Sequence, residues 1–177
     1  MMIEESSAHS KWPTVIGTLR VVLGILMVFD TLDDLLFQLF TNEEDWAQWV
    51  GGDIARSISV SMPPLVWAIL SAVIQTGLGG YLIAGSLRLR RRKASSVEIC
   101  RTWAKATVLW VLVSMGLALW WVARIAGDFP GATQAEVESA ALVGVALASL
   151  LLLAYPLFLL YWCSKDAIQS ETAAWAQ

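Results

Sequence analysis

Four long apolar blocks constrain this sequence more than any other feature. They run from about Pro13 to Leu39, Leu65 to Leu87, Val97 to Ile125 and Val137 to Cys163. A helix of about 20 residues crosses a hydrocarbon core of about 30 Å, and each block reaches that length. A transmembrane barrel would instead show segments of about ten residues that alternate between apolar and polar. The pattern predicts an all-α, integral membrane four-helix bundle.

Composition agrees with that prediction. The chain is 57% hydrophobic and 15% charged, whereas soluble domains are about 45–50% apolar and about 25% charged. We expect one membrane domain over residues 1–177, with short polar tails at 1–11 and 165–177. The N-terminal tail lacks a basic region followed by a cleavage site, which indicates that the first block is a retained anchor.

Basic residues are concentrated on one side of the predicted bundle. The connection between the second and third blocks carries Arg88, Arg90, Arg91, Arg92 and Lys93. The segments 41–62 and 127–135 hold one basic residue between them and several acidic ones. Short loops rich in Lys and Arg stay in the cytoplasm. We therefore expect a multi-pass protein of the cell (inner) membrane with both termini cytoplasmic.

The same basic run has a second interpretation. Each Lys or Arg near a membrane surface attracts anionic lipid by roughly 1 kcal/mol. The residues Arg88 to Lys93 are therefore candidate contacts for anionic headgroups or for an acidic partner. Nucleic acid is not expected as a partner, because the run is short and has no reading element beside it.

Helix ends and interfacial residues are also predicted. Ser95 with Glu98, and Thr133 with Glu136, have the spacing of a capping box. The segment 41–62 has apolar residues at helical spacing and is expected to form an interfacial amphipathic helix. An aromatic belt is predicted at the two membrane surfaces. Its members are Trp12, Trp103 and Trp162 on the inner side and Trp67, Trp120 and Trp121 on the outer side.

Small residues at spacings of four predict close helix contacts, because membrane helices associate through close backbone approach. The second block offers Ala72, Thr76, Gly80 and Ala84, with Gly79 beside them, and the fourth offers Ala140, Gly144 and Ala148. The first block offers Gly17 and Gly24. These faces suit an intramolecular bundle, a homo-oligomer or another membrane protein.

Three aspartates near the outer end of the first block are the main candidate site. Asp30 and Asp34 share one helix face, with Asp33 beside them, and Arg124 is expected at a similar depth. Ionisable residues within a span are costly and indicate function by default. Two alternatives follow: an Asp–Arg pair that locks helices together, favoured here, or a proton or ion site.

Three further residues have ordinary interpretations. Arg20 is expected to extend its charge to the inner headgroups. Cys100 and Cys163 are expected to be small apolar residues, since the cytoplasm is reducing and two thiols make no metal site.

The sequence indicates no catalytic apparatus. The only histidine is His9, in the N-terminal tail, and no glycine-rich phosphate loop is present. We expect no enzymatic activity, cofactor or metal. The function expected is that of a non-catalytic partner-binding or assembly module. The alternative is a small transporter or ion-coupled protein that uses Asp30, Asp33, Asp34 and Arg124.

Two segments carry a resemblance. WPTVIGTLRVVLGILMVF (Trp12 to Phe29) and GLGGYLIAGSLRLRRRKASS (Gly77 to Ser96) resemble parts of small four-helix membrane proteins of planctomycete-type bacteria. The resemblance covers about half of the chain. It implies a four-helix membrane fold and carries no activity and no site residue.

Overall fold

Five helices make up most of the described chain. The computed structural model describes residues 11–40, 64–129 and 133–175. Its helices are α1 (Trp12–Phe40), α2 (Leu65–Arg90), α3 (Ser95–Ile125), α4 (Gln134–Ser164) and α5 (Asp166–Ala174), with a 3-10 turn at Ala126–Asp128. No strand occurs in these three ranges. The predicted all-α class is confirmed.

The first four helices have the length and apolar character of membrane spans. They contain 29, 26, 31 and 31 residues, and each includes a window apolar enough to cross a bilayer. These are the features of a multi-pass membrane protein. We call the end that carries the α2–α3 connection the basic end and the other the distal end. α1 continues without a break from Trp12 to Phe40, so the three aspartates lie within a helix.

α1 and α2 are held together at their glycines. A Cβ atom added to Gly24 would lie 2.9 Å from the carbonyl oxygen of Gly79, and one added to Gly79 would lie 3.0 Å from that of Gly24. Gly17 makes a similar approach to Ser86 and to the side-chain stem of Arg90. The predicted contact face of the first helix is confirmed, because only glycine lets the two backbones come this close.

The other small-residue faces pack only in part as predicted, since Ala72 of the second block is buried. Gly80 and Gly144 have no atom of the described residues within 4 Å of an added Cβ. Ala140 and Ala148, on the same face as Gly144, are exposed. The expected close contact of α4 through this face is therefore not made within the described chain, and α2 uses Gly79 in place of Gly80.

The helices pack in chain order, α1 on α2, α2 on α3 and α3 on α4. Trp103 of α3 is buried in the core with Leu82 and Leu159, and its indole nitrogen donates to the backbone oxygen of Leu78 at 2.9 Å. The prediction that Trp103 belongs to an interfacial belt is wrong, because its ring fills the bundle centre. α1 and α4 meet at the basic end, where the Trp12 and Trp162 rings are 4.5 Å apart.

Only one of the two predicted capping boxes forms. Thr133 caps α4 with reciprocal bonds to Glu136, as predicted. At α3 the prediction is wrong. The helix begins at Ser95 itself, Ala94 is the N-cap, and it makes no side-chain cap bond. Ser95 is already within the helix, so the N-cap position falls on Ala94, whose side chain has no hydrogen-bonding group.

The C-terminal segment, expected to be a polar tail, contains α5. This helix lies against the start of α1, where the Trp12 indole nitrogen donates to a carboxylate oxygen of Glu171 at 2.7 Å. Trp175 packs on the same indole, with ring centroids 5.6 Å apart. The predicted amphipathic helix at 41–62 and the residue His9 lie outside the described residues.

Candidate functional site

A cavity of about 430 Å³ lies between the four long helices. α1 supplies Leu23, Met27 and Asp30, and α2 supplies Gln75, Leu78 and Leu82. Trp103 and Thr107 of α3, together with Tyr155 and Pro156 of α4, lie at its end toward the basic side. The cavity therefore reaches from the aspartate cluster into the core of the bundle.

Of the three aspartates, Asp30 is the one that lines this cavity. Asp33 lines a separate shallow groove on the surface of α1, which Asp30 also borders. All three side chains are exposed within the described structure. The predicted cluster is therefore divided, since one carboxylate borders the centre of the bundle and Asp33 lies outside the cavity lining.

Arg124 does not join the aspartates. Its side chain is exposed, and its guanidinium lies 5.7 Å from the centre of the Trp120 ring. α1 and α3 are not among the closely packed helix pairs, and the described residues show no ion pair between Arg124 and Asp30, Asp33 or Asp34. The geometry offers no Asp–Arg lock between these helices.

The basic residues lie together at the basic end, as their sequence positions require. Arg88 and Arg90 belong to the last turn of α2, and Arg91, Arg92 and Lys93 form the connection to α3. All are exposed except Arg92, which is half-buried. Arg92 has φ 51°, a left-handed conformation. The group presents its charge to the surroundings and away from the cavity.

Two hydroxyl groups at the inner part of the cavity have no partner. Thr107 is buried, and its Oγ1 makes no hydrogen bond with any described residue. The hydroxyl of Tyr155 is also buried and unpartnered among those residues. By contrast, the Thr31 hydroxyl of α1 donates a hydrogen bond to the side-chain oxygen of Gln75 of α2 at 3.1 Å. Buried polar groups are nearly always paired, so the two free hydroxyls need an explanation.

Arg20 lies on the basic-end side of this part of the cavity and is fully buried, with 0% of its surface exposed. The prediction that it reaches the headgroups is wrong. Its side chain turns into the bundle, where Nη1 donates to Sγ of Cys100. The Tyr155 hydroxyl also lies near its guanidinium. Nε and Nη2 have no hydrogen-bond partner within the described chain.

Gly85 on α2 allows a close approach of Ile99 on α3, next to this arginine. A Cβ added there would lie 2.6 Å from a side-chain carbon of Ile99 and 3.7 Å from Nη2 of Arg20. The guanidinium therefore sits at the centre of the bundle, between α2, Cys100 of α3 and Tyr155 of α4. Neither of the neighbouring thiols is in a disulfide: Cys100 and Cys163 are free, buried and packed in one cluster with Val97.

Sequence reasoning missed Arg20, Thr107 and Tyr155 as site residues. A signal for Arg20 was present, because it is the one charged residue between Trp12 and Phe29. An ionisable residue inside a span is a functional candidate by default. Hydroxyl residues are common in membrane helices, so nothing in the sequence distinguished Thr107 or Tyr155.

No protein-family model, curated protein or solved structure matches this chain.

Proposed function

We propose that this chain is a small, non-catalytic membrane transporter that binds its solute in the central cavity and is ion-coupled through Asp30. One observation carries the proposal. The cavity extends from the Asp30 carboxylate near the distal end to Thr107 and Tyr155, whose enclosed hydroxyls have no partner in the described chain. Intramembrane ionisable groups that border a cavity are typical of solute and ion pathways.

Binding without chemical conversion is the simpler role for this lining. Among the described cavity residues, Asp30 is the one charged group, and the others are hydroxyl, amide, aromatic and aliphatic. Ligand cavities of this kind are mostly apolar with a few polar groups that fix orientation.

The proposed orientation places the basic end in the cytoplasm of the inner membrane. Its support is the charge on Arg88, Arg90, Arg91, Arg92 and Lys93, which also suits contact with anionic lipid. The termini are then cytoplasmic, and Asp30 lies toward the outer side of the membrane.

Proton flux into vesicles tests the transport role. The purified protein is reconstituted with a pH-sensitive dye inside, and dye response to an imposed pH gradient is compared for wild type, Asp30→Asn and Asp33→Asn. Asp33→Asn is the matched control, because it removes the same charge three residues away without altering the cavity lining. We expect Asp30→Asn to lower the flux at least about tenfold and Asp33→Asn to preserve it. Equal flux in all three proteins would remove the ion-coupled role.

A second candidate function is the assembly role expected from the sequence. The face of α4 formed by Ala140 and Gly144 is exposed and has open space at Gly144, whereas Ala148 lines the central cavity. Such a face suits a helix from a second copy of the chain or another membrane protein. Purification in mild detergent tests it. An oligomer or complex that Gly144→Leu disperses supports assembly, whereas a monodisperse monomer with no co-purifying protein opposes it.

A further inference from the structure

The guanidinium of Arg20 is a permanent positive charge without a negative partner in the described chain. Arginine stays protonated in proteins, and a buried charge is costly unless it is paired and hydrogen-bonded. Its one described hydrogen-bond acceptor is the Cys100 thiol, which leaves two nitrogens unpartnered. Its unpartnered nitrogens make Arg20 a candidate anion subsite, enclosed beside the cavity and outside the cavity lining.

We propose that this subsite binds the carboxylate of an amphiphile whose hydrocarbon chain occupies the central cavity. The inference deepens the proposed function, on which it rests, by naming the class of solute. Tyr155 connects the two regions, because it lines the cavity and its unpartnered hydroxyl lies near Arg20. A carboxylate at that point accepts hydrogen bonds from both groups, and such charge-assisted bonds are the strong ones.

Charge along α1 gives the ligand a direction. Arg20 and Asp30 are ten residues apart on one continuous helix, which is about 15 Å. Asp30 repels an anion at the distal end of the cavity, whereas Arg20 attracts one at the other end. The head of the ligand therefore lies toward the basic end and the chain toward Asp30.

The rest of the lining suits a hydrocarbon chain. Between the two charges the cavity surface is largely aliphatic and aromatic, with Leu23, Met27, Val111 and Leu152 among its members. Burying a methylene group stabilises a complex by about 0.8 kcal/mol. A short carboxylate such as acetate lacks this contribution and is expected to bind weakly.

Equilibrium binding of radiolabelled dodecanoate to the full-length protein in non-ionic detergent tests the proposal. Unlabelled dodecan-1-ol competes as a neutral ligand of equal chain length, and acetate as an anion without the chain. We expect wild type to prefer dodecanoate over dodecanol at least about tenfold, because hydrogen bonds to charged groups are worth roughly ten- to hundredfold in affinity. Acetate should not displace the label.

Three variants test which residues produce the preference for dodecanoate over dodecanol. Arg20→Met should abolish it, and Tyr155→Phe, which keeps the ring and removes the hydroxyl, should reduce it. Arg101→Gln is the matched control, because Arg101 lies at the same end of the bundle and donates to the carbonyl oxygen of Cys163 at 2.6 Å. It should leave the preference unchanged. Should Arg20→Met fail to give a monodisperse protein, Tyr155→Phe carries the test.

Several results would overturn the proposal. Equal affinity of wild type for the acid and the alcohol, or an unchanged preference in both Arg20→Met and Tyr155→Phe, excludes a carboxylate subsite. A preference that is absent in wild type and emerges in Cys100→Ser would show that the Cys100 thiolate already neutralises Arg20. Each of these leaves Asp30-dependent proton flux untouched, so failure of this inference is distinguishable from failure of the transport role.

Discussion

The indole nitrogen of Trp103 donates a hydrogen bond of 2.9 Å to the backbone carbonyl of Leu78. This bond joins α3 to α2, and the same ring contacts the Tyr155 ring at a centroid distance of 5.9 Å. Trp103→Phe removes the donor and leaves part of the indole volume empty. We expect a loss of roughly 1–3 kcal/mol of stability, read as a lower thermal midpoint in detergent. Trp120→Phe is the control, because Trp120 is 56% exposed, and an equal loss there would contradict the assigned role.

Substitutions at two glycines distinguish the packed face of α1–α2 from the open one. Gly24→Ala places a methyl group 2.9 Å from the Gly79 carbonyl oxygen, so the two backbones must separate. We expect a cost of roughly 1–3 kcal/mol. Gly80→Ala meets open space and should be neutral or stabilising, since alanine favours helix over glycine by about 1 kcal/mol. Thermal midpoints in the same detergent provide the comparison, and similar effects at both sites would refute the described interface.

Arg20→Met should raise the stability of the ligand-free protein. An incompletely paired buried charge costs several kcal/mol, and apolar residues of similar volume in such positions are often neutral or stabilising by about 1–4 kcal/mol. Arg101→Met is the matched comparison and should be destabilising, because it removes the bond to the Cys163 carbonyl. Unfolding is followed by thermal scans without added lipid or fatty acid. A lower midpoint for Arg20→Met would mean that its contact with Cys100 is a net source of stability.

Arg92→Gly should stabilise the α2–α3 connection. The N–H groups of Arg92 and Lys93 donate to the oxygens of Leu89 and Arg88, which is the bonding of a Schellman motif with Arg92 in its left-handed position. A left-handed conformation costs a residue with a Cβ atom about 1–2 kcal/mol. We expect a gain of about 1 kcal/mol, because the Arg92 side chain also makes interactions of its own. Arg91→Gly, at φ −85°, should give no gain in the same thermal assay.

Arg124→Ala should change stability by less than about 1 kcal/mol. The described contact of its guanidinium is with the exposed face of Trp120, and exposed cation–π contacts are worth about 0.5–1 kcal/mol. Midpoints of wild type and variant in detergent measure the difference. A loss of several kcal/mol would indicate the Asp–Arg lock that the sequence suggests and the described geometry does not contain.

The four spans could be predicted because length and apolar content decide them, and these are properties of single segments. The cap at Thr133 was equally local. The burial of Arg20 could not be predicted in this way. Its depth along α1 follows from the sequence, but whether its side chain points into the bundle depends on which face of α1 meets the other helices. Its hydrogen-bond acceptor is Cys100, which α3 brings beside it from 80 residues away in the chain. The lack of a hydrogen-bond partner for the Tyr155 hydroxyl likewise depends on how the helices pack around it, which no single segment determines.

The mutual approach of Gly24 and Gly79 has a mechanical consequence. Because the two backbones are in direct contact there, α1 and α2 form one rigid unit. α3 and α4 form the second unit, joined by the hydrogen bond from the Arg101 guanidinium to the backbone oxygen of Cys163. Only four residues, Arg91 to Ala94, link α2 to α3. The covalent link between the two units is therefore at the basic end, on the side of Arg20, whereas Asp30 lies ten residues farther along α1, toward the opposite end of the cavity.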